Sequence, residues 1–306
     1  MFSFILITIL TFAPFNVFTD IQPSANLLRE PAVQEDNSIY SFGPELTAKS
    51  AIVVDVDDNI LFAKNPEEQL PIASVTKLMT ALVFLENKTK SWEDWITVLP
   101  EDSVENSALE SENKTEAPPV KLLVTANEKI KLKDVFYGCL IESANNAAKI
   151  LARLTKIESG KSFSDLMNQK AHDLNMTQTM FFEPTGLDPR NYSTAKDLAK
   201  LVKAAMQKEE IKQALSHQTY DMEVLKEDGV PAHLYIKNTN KLLSSFINLI
   251  GGKTGYLDES GYCFVGQDKD GRIAVILGAA SDQARFQETK ALFWWTSLSK
   301  RDNIIK

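Results

Sequence analysis

The feature of this sequence that most constrains its fold is the order of its hydrophobic patterns. Runs typical of β-strands stand at both ends of the chain, and helical periodicity fills the middle. Residues 51–63 predict two short strands joined by a turn at Asp57-Asp58-Asn59, and β-rich runs return from Gly252 onward. Strands from both ends can share one sheet, with the middle inserted as a helical lobe. The predicted fold class is α/β (α+β): an antiparallel sheet flanked by helices, with a ligand-binding cleft beside the inserted lobe.

The helical segments follow from apolar residues spaced three and four positions apart. After Pro71, this spacing has the pattern of a helix with one buried face, at Val75, Leu78, Met79, Leu82 and Val83. Further helical patterns cover residues 132–154, 163–174 and 194–206.

A last helix is predicted over residues 283–298, where it carries Trp294 and Trp295. We expect it to pack these aromatic side chains onto the sheet. A helix lying on a membrane surface is the alternative.

The N-terminus predicts export. The first 18 residues carry no charge and are mostly apolar. Pro14 argues against a continuous spanning helix, which needs about 20 residues. Residues 1–21 are therefore predicted to be a signal peptide. The alternative is an uncleaved N-terminal anchor, which would contact the membrane through this segment.

The rest of the chain divides into a linker and a domain. Residues 22–45 are predicted to be a linker and residues 46–300 a peptidase domain, within which the acidic stretch 103–119 is an exposed loop.

Charge and metal-ligand spacing exclude two function classes. The net charge is -8 and the basic residues are scattered, so counterion release cannot drive binding to nucleic acid. Cys139 and Cys263 stand far apart, and the three histidines are isolated from one another. We therefore predict no metal, no cofactor and no histidine-based catalytic triad. The two cysteines are expected to be buried, with a single disulfide as the alternative.

Three short motifs carry the chemistry. Ser-x-x-Lys occurs four times and Ser-x-Asn three times, whereas Lys-Thr-Gly occurs once, at 253–255. Of the Ser-x-x-Lys copies, only Ser74 opens a strongly amphipathic helix, which places Ser74 and Lys77 one turn apart on one face. Ser143 and Asn145 suit a turn between two helices. The Lys-Thr-Gly copy lies in a predicted strand.

Ser74 and Lys77 form a nucleophile and its base. A serine hydroxyl is a poor nucleophile until a nearby base takes its proton. In the absence of a suitable histidine, the base must be the neutral amine of Lys77. The positive end of the helix, a converging Lys253 and partial burial all disfavour the ammonium form.

The remaining motif residues complete an acyl-transfer site. Ser143 can pass the proton to the leaving group, and Asn145 can hold a substrate amide. The backbone N–H groups of Ser74 and Tyr256 can form an oxyanion hole at an exposed strand edge. Lys253 and Thr254 suit a substrate carboxylate.

The three motifs, in this order, resemble those of serine-type D-alanyl-D-alanine carboxypeptidases, the low-molecular-weight penicillin-binding proteins. The matching stretches are residues 73–82, 142–148 and 252–256, and the similarity extends over about 50–298. The resemblance implies the penicillin-binding-protein and β-lactamase fold. It also places Gly255 in the substrate-binding strand and gives Arg285 a share in holding the substrate's terminal carboxylate.

The resemblance implies that the protein removes the terminal D-alanine from peptidoglycan stem peptides through a Ser74 acyl-enzyme, with β-lactams as inhibitors. An endopeptidase of the same family is the alternative. A β-lactamase is less favoured, because Leu187 lies one position too late for a deacylating Glu-x-x-Leu-Asn stretch starting at Glu183. A non-catalytic peptidoglycan or β-lactam binder would have no need of Lys77.

Two residues depart from the family pattern. Asn146 stands where aspartate is usual, and Leu257 where threonine is frequent. Neither departure removes a catalytic group, and we expect both to alter substrate preference.

Overall fold

A computed structural model describes residues 43–103, 120–159, 161–245 and 248–302. The predicted signal peptide, the predicted linker up to residue 42 and the acidic loop beyond Ser103 lie outside the described residues. Within the described ranges, no helix is both long enough and apolar enough to span a membrane.

The strands from both ends of the chain pair in one five-stranded antiparallel sheet, as predicted. Its members are β1 Ser50–Val54, β2 Ile60–Lys64, β9 Leu249–Leu257, β10 Gly261–Asp268 and β11 Ile273–Ala279. The order is β2-β1-β11-β10-β9, so the first strand pairs with the last and β9 forms an edge. Every residue of β1 and β11 is buried, because helices cover both faces of the sheet.

The helical lobe fills the middle of the chain. It contains α1 Thr76–Asn87, α2 Leu132–Leu140, α3 Asn145–Ser159, α4 Phe163–Asp173, α5 Ala195–Met206 and α6 Glu209–Ser216. The side chains of Ser162 and Thr194 cap the first turns of α4 and α5 by accepting hydrogen bonds from backbone N–H groups. The predicted helical segments are confirmed, and α6 was not predicted.

Helix α1 is more buried than its sequence pattern predicts. The polar side chains of Thr76, Lys77 and Thr80 are buried along with the apolar residues. The expectation of a single buried face is therefore wrong. The physical reason is that α1 packs against α2, α3, α4 and α5 at the centre of the lobe.

A second sheet within the lobe was not predicted. It joins β4 Trp95–Thr97, β5 Lys129–Lys131, β7 Thr219–Leu225 and β8 Pro231–Lys237. A short pair, β3 Leu70–Pro71 with β6 Tyr192–Ser193, lies apart from it. In β8 the alternate positions from Pro231 to Lys237 are exposed and the facing positions are only partly buried, apart from Ile236. Such a strand has too weak an apolar alternation to stand out in the sequence.

The C-terminal helix α7, Asp282–Asp302, packs Phe286, Leu292 and Phe293 against the sheet. Trp294 is 65% exposed, so the expectation that it packs onto the sheet is wrong. Successive helix residues point about 100° apart, and Phe293 already occupies the inward direction. Trp295 lies at the edge of this contact, with its ring 6.0 Å from that of Phe62.

Asn146 connects segments of the helical lobe through buried hydrogen bonds. Its Oδ1 accepts a hydrogen bond from the backbone N–H of Leu122 at 3.0 Å. Its Nδ2 donates to the backbone oxygens of Leu122 at 3.0 Å and Asp102 at 3.2 Å. The side chain is almost fully buried. Asparagine can make both kinds of bond, whereas an ionised carboxylate can only accept.

We predict that Asn146→Asp lowers the free energy of unfolding by about 1–3 kcal/mol, because two backbone oxygens lose their donor. The loss should grow as pH rises above the ordinary carboxyl pKa, because burial beside those oxygens raises the folded pKa, and the unfolded chain then ionises more readily than the folded protein. Urea unfolding at several pH values measures both effects. Asn175→Asp, at an exposed position, is the matched control and should change little. Equal stability of the two variants at all pH values would contradict this role for Asn146.

Candidate active site

Ser74 lies where a short turn becomes the central helix. The turn Ala73–Val75 runs directly into α1, and Lys77 follows one helical turn after Ser74. The Lys77 Nζ atom lies 2.8 Å from Ser74 Oγ. Ala73 has φ +46, a left-handed conformation that costs a residue with a side chain about 1–2 kcal/mol. The packing around this turn therefore holds strain next to the serine.

The partners of Lys77 can accommodate a neutral amine. Besides Ser74, its Nζ contacts Asn145 Oδ1 at 2.7 Å and the backbone oxygen of Thr185 at 2.5 Å. Those two oxygens can only accept, so they take two N–H bonds. A neutral amine has two N–H bonds and one lone pair. The lone pair then faces the Ser74 hydroxyl, in position to accept its proton.

Burial favours this neutral form. Lys77 is completely buried, and the loss of hydration lowers its pKa to about 8. The Cys139 thiol and the Glu183 carboxylate act in the opposite direction and more weakly. The pKa of Lys253 is also lowered, first by burial and then by the positive charges of Lys77 and Arg285. The sequence predicted the direction correctly, but burial matters more than the helix end or the like charge.

Ser143 occupies the turn between α2 and α3, as predicted. It has φ +70, and its hydroxyl receives a hydrogen bond from Lys253 Nζ at 2.7 Å. Lys253 Nζ also donates to the Thr254 backbone oxygen at 3.0 Å. Lys253 is fully buried, so its amine donates to Ser143 from inside the protein. The Ser143 proton is then available to a group in the cleft.

Two glycines allow other parts of the chain to approach Ser74 closely. A Cβ atom on Gly255 would lie 2.8 Å from the Ile72 oxygen and 3.2 Å from the Ser74 nitrogen. A Cβ atom on Gly186, which has φ +83, would lie 2.0 Å from the Ala73 oxygen. Any larger residue would push edge strand β9 or the Gly186 loop away from Ser74. Tyr256 follows Gly255 in β9, and its backbone therefore lies beside the serine.

Thr239 is a site residue that sequence reasoning missed. Its hydroxyl lies 2.6 Å from that of Thr254, and its backbone N–H donates to the Ile141 oxygen at 3.1 Å. Thr239 therefore connects β9 to the Ser143 turn. Its position depends on tertiary contacts far apart in the chain, and no local pattern marks it.

Arg285 lies behind β9 rather than in the open cleft. Its Nη1 donates to the Gly255 backbone oxygen at 2.9 Å, and its Nη2 forms an ion pair with Asp282. Only 7% of the residue is exposed. The guanidinium thus supports the strand that carries Lys253, Thr254 and Gly255.

Glu183 organises the loop that covers Lys77. Its carboxylate accepts hydrogen bonds from the backbone N–H groups of Thr185 at 2.6 Å and Gly186 at 2.5 Å, and from Asn191 Nδ2 at 2.9 Å. These bonds fix the Thr185 oxygen that contacts Lys77. They also engage the carboxylate inside its own loop, consistent with the sequence argument against a deacylating role for Glu183.

The structure shows two free, buried cysteines, Cys139 and Cys263, as expected. Burial raises the pKa of Cys139 to about 11, so its thiol stays neutral. Across the described residues, no group of three or more His, Cys, Asp or Glu side chains is placed to hold a metal ion.

Comparisons with known proteins support the fold and the family. The chain is 36% identical over 221 residues to a D-alanyl-D-alanine endopeptidase of Haemophilus influenzae, covering 71% of this chain and 69% of that protein. It is 32% identical over 251 residues to the D-alanyl-D-alanine carboxypeptidase DacF of Bacillus subtilis, covering 80% and 61%. Among solved structures, a Streptomyces DD-transpeptidase matches with a TM-score of 0.75 at 23% identity, covering 84% of this chain and all of that one.

A penicillin-binding protein of Listeria monocytogenes, solved in a cefotaxime-bound form, matches with a TM-score of 0.67 at 29% identity, covering 84% of this chain and 99% of that one. These neighbours confirm the predicted fold class. A family model described as D-alanyl-D-alanine carboxypeptidase matches residues 37–281. The chain therefore belongs to the D-alanyl-D-alanine carboxypeptidase family of serine hydrolases.

Proposed function

We propose that this protein is a serine-type D-alanyl-D-alanine carboxypeptidase that releases the terminal D-alanine of peptidoglycan stem peptides. The observation that carries the proposal is the set of contacts made by Lys77 Nζ. It donates hydrogen bonds to Asn145 Oδ1 and to the Thr185 backbone oxygen, and it also lies at hydrogen-bond distance from Ser74 Oγ. This arrangement suits a base. A lysine with a purely structural role would have no need of a serine hydroxyl at hydrogen-bond distance.

In the first step, Ser74 Oγ attacks the carbonyl carbon of the penultimate D-alanine while Lys77 takes its proton. The oxygen of the tetrahedral intermediate accepts hydrogen bonds from the backbone N–H groups of Ser74 and Tyr256. Ser143, hydrogen-bonded by Lys253, delivers a proton to the leaving nitrogen. It receives in its place the proton that Lys77 took from Ser74, so that Lys77 is again a neutral amine before the second step. The C–N bond then breaks and D-alanine leaves, while the rest of the peptide stays bound to Ser74 as an ester.

In the second step, water attacks the ester carbonyl and Lys77 takes a proton from it. The proton returns to Ser74 Oγ as the C–O bond breaks, which restores the enzyme and releases the shortened peptide. A β-lactam enters the same first step, but its leaving nitrogen stays attached to the adduct. Since Glu183 is engaged in its own loop, we expect this adduct to be long-lived.

Substrate binding is assigned to the two walls of the cleft. Asn145 holds the substrate amide from α3. Thr254, with Lys253 and Arg285 behind it, receives the terminal carboxylate at edge strand β9, where Gly255 and Tyr256 lie against the substrate backbone. Arg285 contributes its positive charge from beneath the strand, through the Gly255 carbonyl.

An endopeptidase that cuts peptide cross-links is the second candidate. The same catalytic residues serve it, and the Haemophilus influenzae relative bears that name. The burial of Lys253 and Arg285 favours the endopeptidase, because neither side chain extends openly into the cleft, where it would bind a free carboxylate.

We further propose that residues 46–300 form the peptidase domain. Residues 1–21 then act as a signal peptide or an anchor, and the enzyme works on the periplasmic or outer side of the membrane. The uncharged apolar N-terminus and the proposed cell-wall substrate support this location.

We predict that penicillin adds one penicillin-sized mass to the protein and that Ser74→Ala abolishes this gain. Ser297→Ala is the matched control, because Ser297 belongs to another Ser-x-x-Lys sequence on the surface of α7. Intact-protein mass spectrometry measures the adduct, and D-alanine release from a D-Ala-D-Ala peptide measures the reaction. An adduct on Ser74→Ala, or none on the wild type, would overturn the assignment of the nucleophile.

The rate of acylation should rise with pH and level off above about pH 8. The folded pKa of Lys77 is lowered to about 8, so Lys77 is protonated below this pH and becomes a base above it. Stopped-flow acylation between pH 6 and 10 measures the profile. Lys77→Met should slow acylation by about 100-fold or more, while the surface variant Lys212→Met should keep the wild-type profile. A flat wild-type profile would exclude Lys77 as the base.

The two candidate reactions differ in their need for a free carboxylate. A carboxypeptidase should hydrolyse a peptide ending in D-Ala-D-Ala at least about tenfold faster than the same peptide amidated at its C-terminus, since a charge-assisted hydrogen bond contributes about 1.5–3 kcal/mol. The ratio of kcat/KM values for the two peptides measures this preference. Equal rates, or faster cleavage of the amide, would favour the endopeptidase.

A further inference from the structure

A pocket of about 420 Å³ lies between helix α5 and strands β1 and β2. We call it the α5 pocket. Its volume falls within the range of small-molecule sites, which runs from about 300 to 1,000 Å³. The side chains that line it are separate from those of the candidate active site, so a ligand bound here would be distinct from the peptide that reaches Ser74.

The inner walls of the α5 pocket are apolar. Ile52 and Val54 of β1 and Ala199 of α5 line it and are buried. Leu174, which follows α4, lines it as well. Ile60 of β2 also belongs to the lining, yet 54% of this residue is exposed. Apolar walls of this kind favour a hydrocarbon chain, because they cannot replace the hydrogen bonds that a polar group loses on leaving water.

Lysine side chains line the same pocket from α5. Lys196, Lys200 and Lys203 stand four and three residues apart, so they share one face of the helix. Lys196 forms an ion pair with Glu67, and we assign it no role in the pocket. Asp58, in the turn after β1, is the acidic residue of the lining. The lining is therefore richer in positive than in negative charge, on a chain whose net charge is -8.

Lys203 joins α5 to the turn after β1. Its Nζ donates to Asp58 Oδ1 at 2.6 Å and to the Val56 backbone oxygen at 3.1 Å. An ammonium group carries three N–H bonds. The described residues provide no partner for the third N–H bond of Lys203, and 35% of its side chain is exposed. That bond is therefore available to a ligand in the α5 pocket.

Lys200 keeps a donor in the same way. Its Nζ donates to Asp197 Oδ1 at 2.8 Å and to the Asn175 backbone oxygen at 2.5 Å. Its third N–H bond has no partner within the part of the chain that the structure describes, and 37% of the side chain is exposed. Lys200 and Lys203 stand three residues apart, or about 4.5 Å along the helix axis. Two charged donors at this spacing suit the two oxygens of one carboxylate.

We infer that the α5 pocket binds a fatty acid, with the alkyl chain against the apolar walls and the carboxylate on Lys200 and Lys203. A neutral hydrocarbon would leave both ammonium donors unused, and a small anion would leave the apolar walls in contact with water. Asp58 and Asp197 stay paired, so the ligand shares the ammonium groups with them and its binding weakens as salt is added. The inference is independent of the proposed function.

Isothermal titration calorimetry of the full chain with decanoate and decan-1-ol tests the inference, at concentrations below those at which decanoate forms micelles. The wild type should bind decanoate about fivefold more tightly than the alcohol, and added salt should reduce this ratio. The double variant Lys200→Met, Lys203→Met keeps the apolar stems and should bring the ratio to about one. Lys212→Met removes an ion-paired surface lysine of α6 and, as the matched control, should keep the wild-type ratio.

A second variant tests the apolar walls. Ala204 of α5 lines the pocket and is only partly buried, so the ring of Ala204→Phe can occupy the cavity without displacing the core. This variant should bind both ligands at least about tenfold more weakly, with circular dichroism showing that it is folded. Ala291→Phe, at a partly buried alanine of α7, is its control. Absence of saturable decanoate binding to the wild type, equal affinity for the two ligands, or wild-type decanoate affinity in either pocket variant would overturn the inference.

Discussion

The contact between a buried lysine amine and a serine hydroxyl is the interaction on which the rest of this structure depends. Removing Lys77 from water disfavours its charge, and that cost makes the amine a base near neutral pH. The surrounding fold provides the burial: α1 is enclosed by four helices, and the Glu183 loop covers the amine. An exposed lysine at the same spacing would remain protonated and could not accept the serine proton.

The second constraint is close packing of backbone around Ser74. Gly255 and Gly186 let β9 and the covering loop reach the serine, while Ala73 and Ser143 hold left-handed conformations that favour glycine. Strain of this kind persists only where neighbouring contacts determine the conformation. The central sheet provides that rigidity, because α5 and α7 bury it on opposite faces. The sheet and the two glycines therefore support the backbone that carries Ser74.

The sequence predicted the central sheet and most helices because β1, β11 and the lobe helices have strong apolar periodicity. It also indicated the candidate site residues, since the helix after Ser74, the turn at Ser143 and the single Lys-Thr-Gly copy at Lys253 distinguished them from other copies of the same short motifs. It missed the β7–β8 hairpin, whose outer positions are exposed, and Trp294, whose direction depends on the phase of α7. Thr239 and the placement of Arg285 behind β9 depend on contacts between distant segments. Local sequence patterns do not encode contacts between distant segments, so these features could be found only in the structure.

The most direct test of this account is a titration of the Lys77 side chain itself. Protein labelled with ¹³C at the lysine ε-carbon would be followed by NMR between pH 6 and 11, with the Lys77 signal assigned by its loss in Lys77→Met. If burial makes Lys77 the base, the assigned Lys77 signal should titrate near pH 8, below the ordinary lysine value of about 10.4. A Lys77 signal that titrates near that ordinary value would contradict the claim that burial makes this lysine the base.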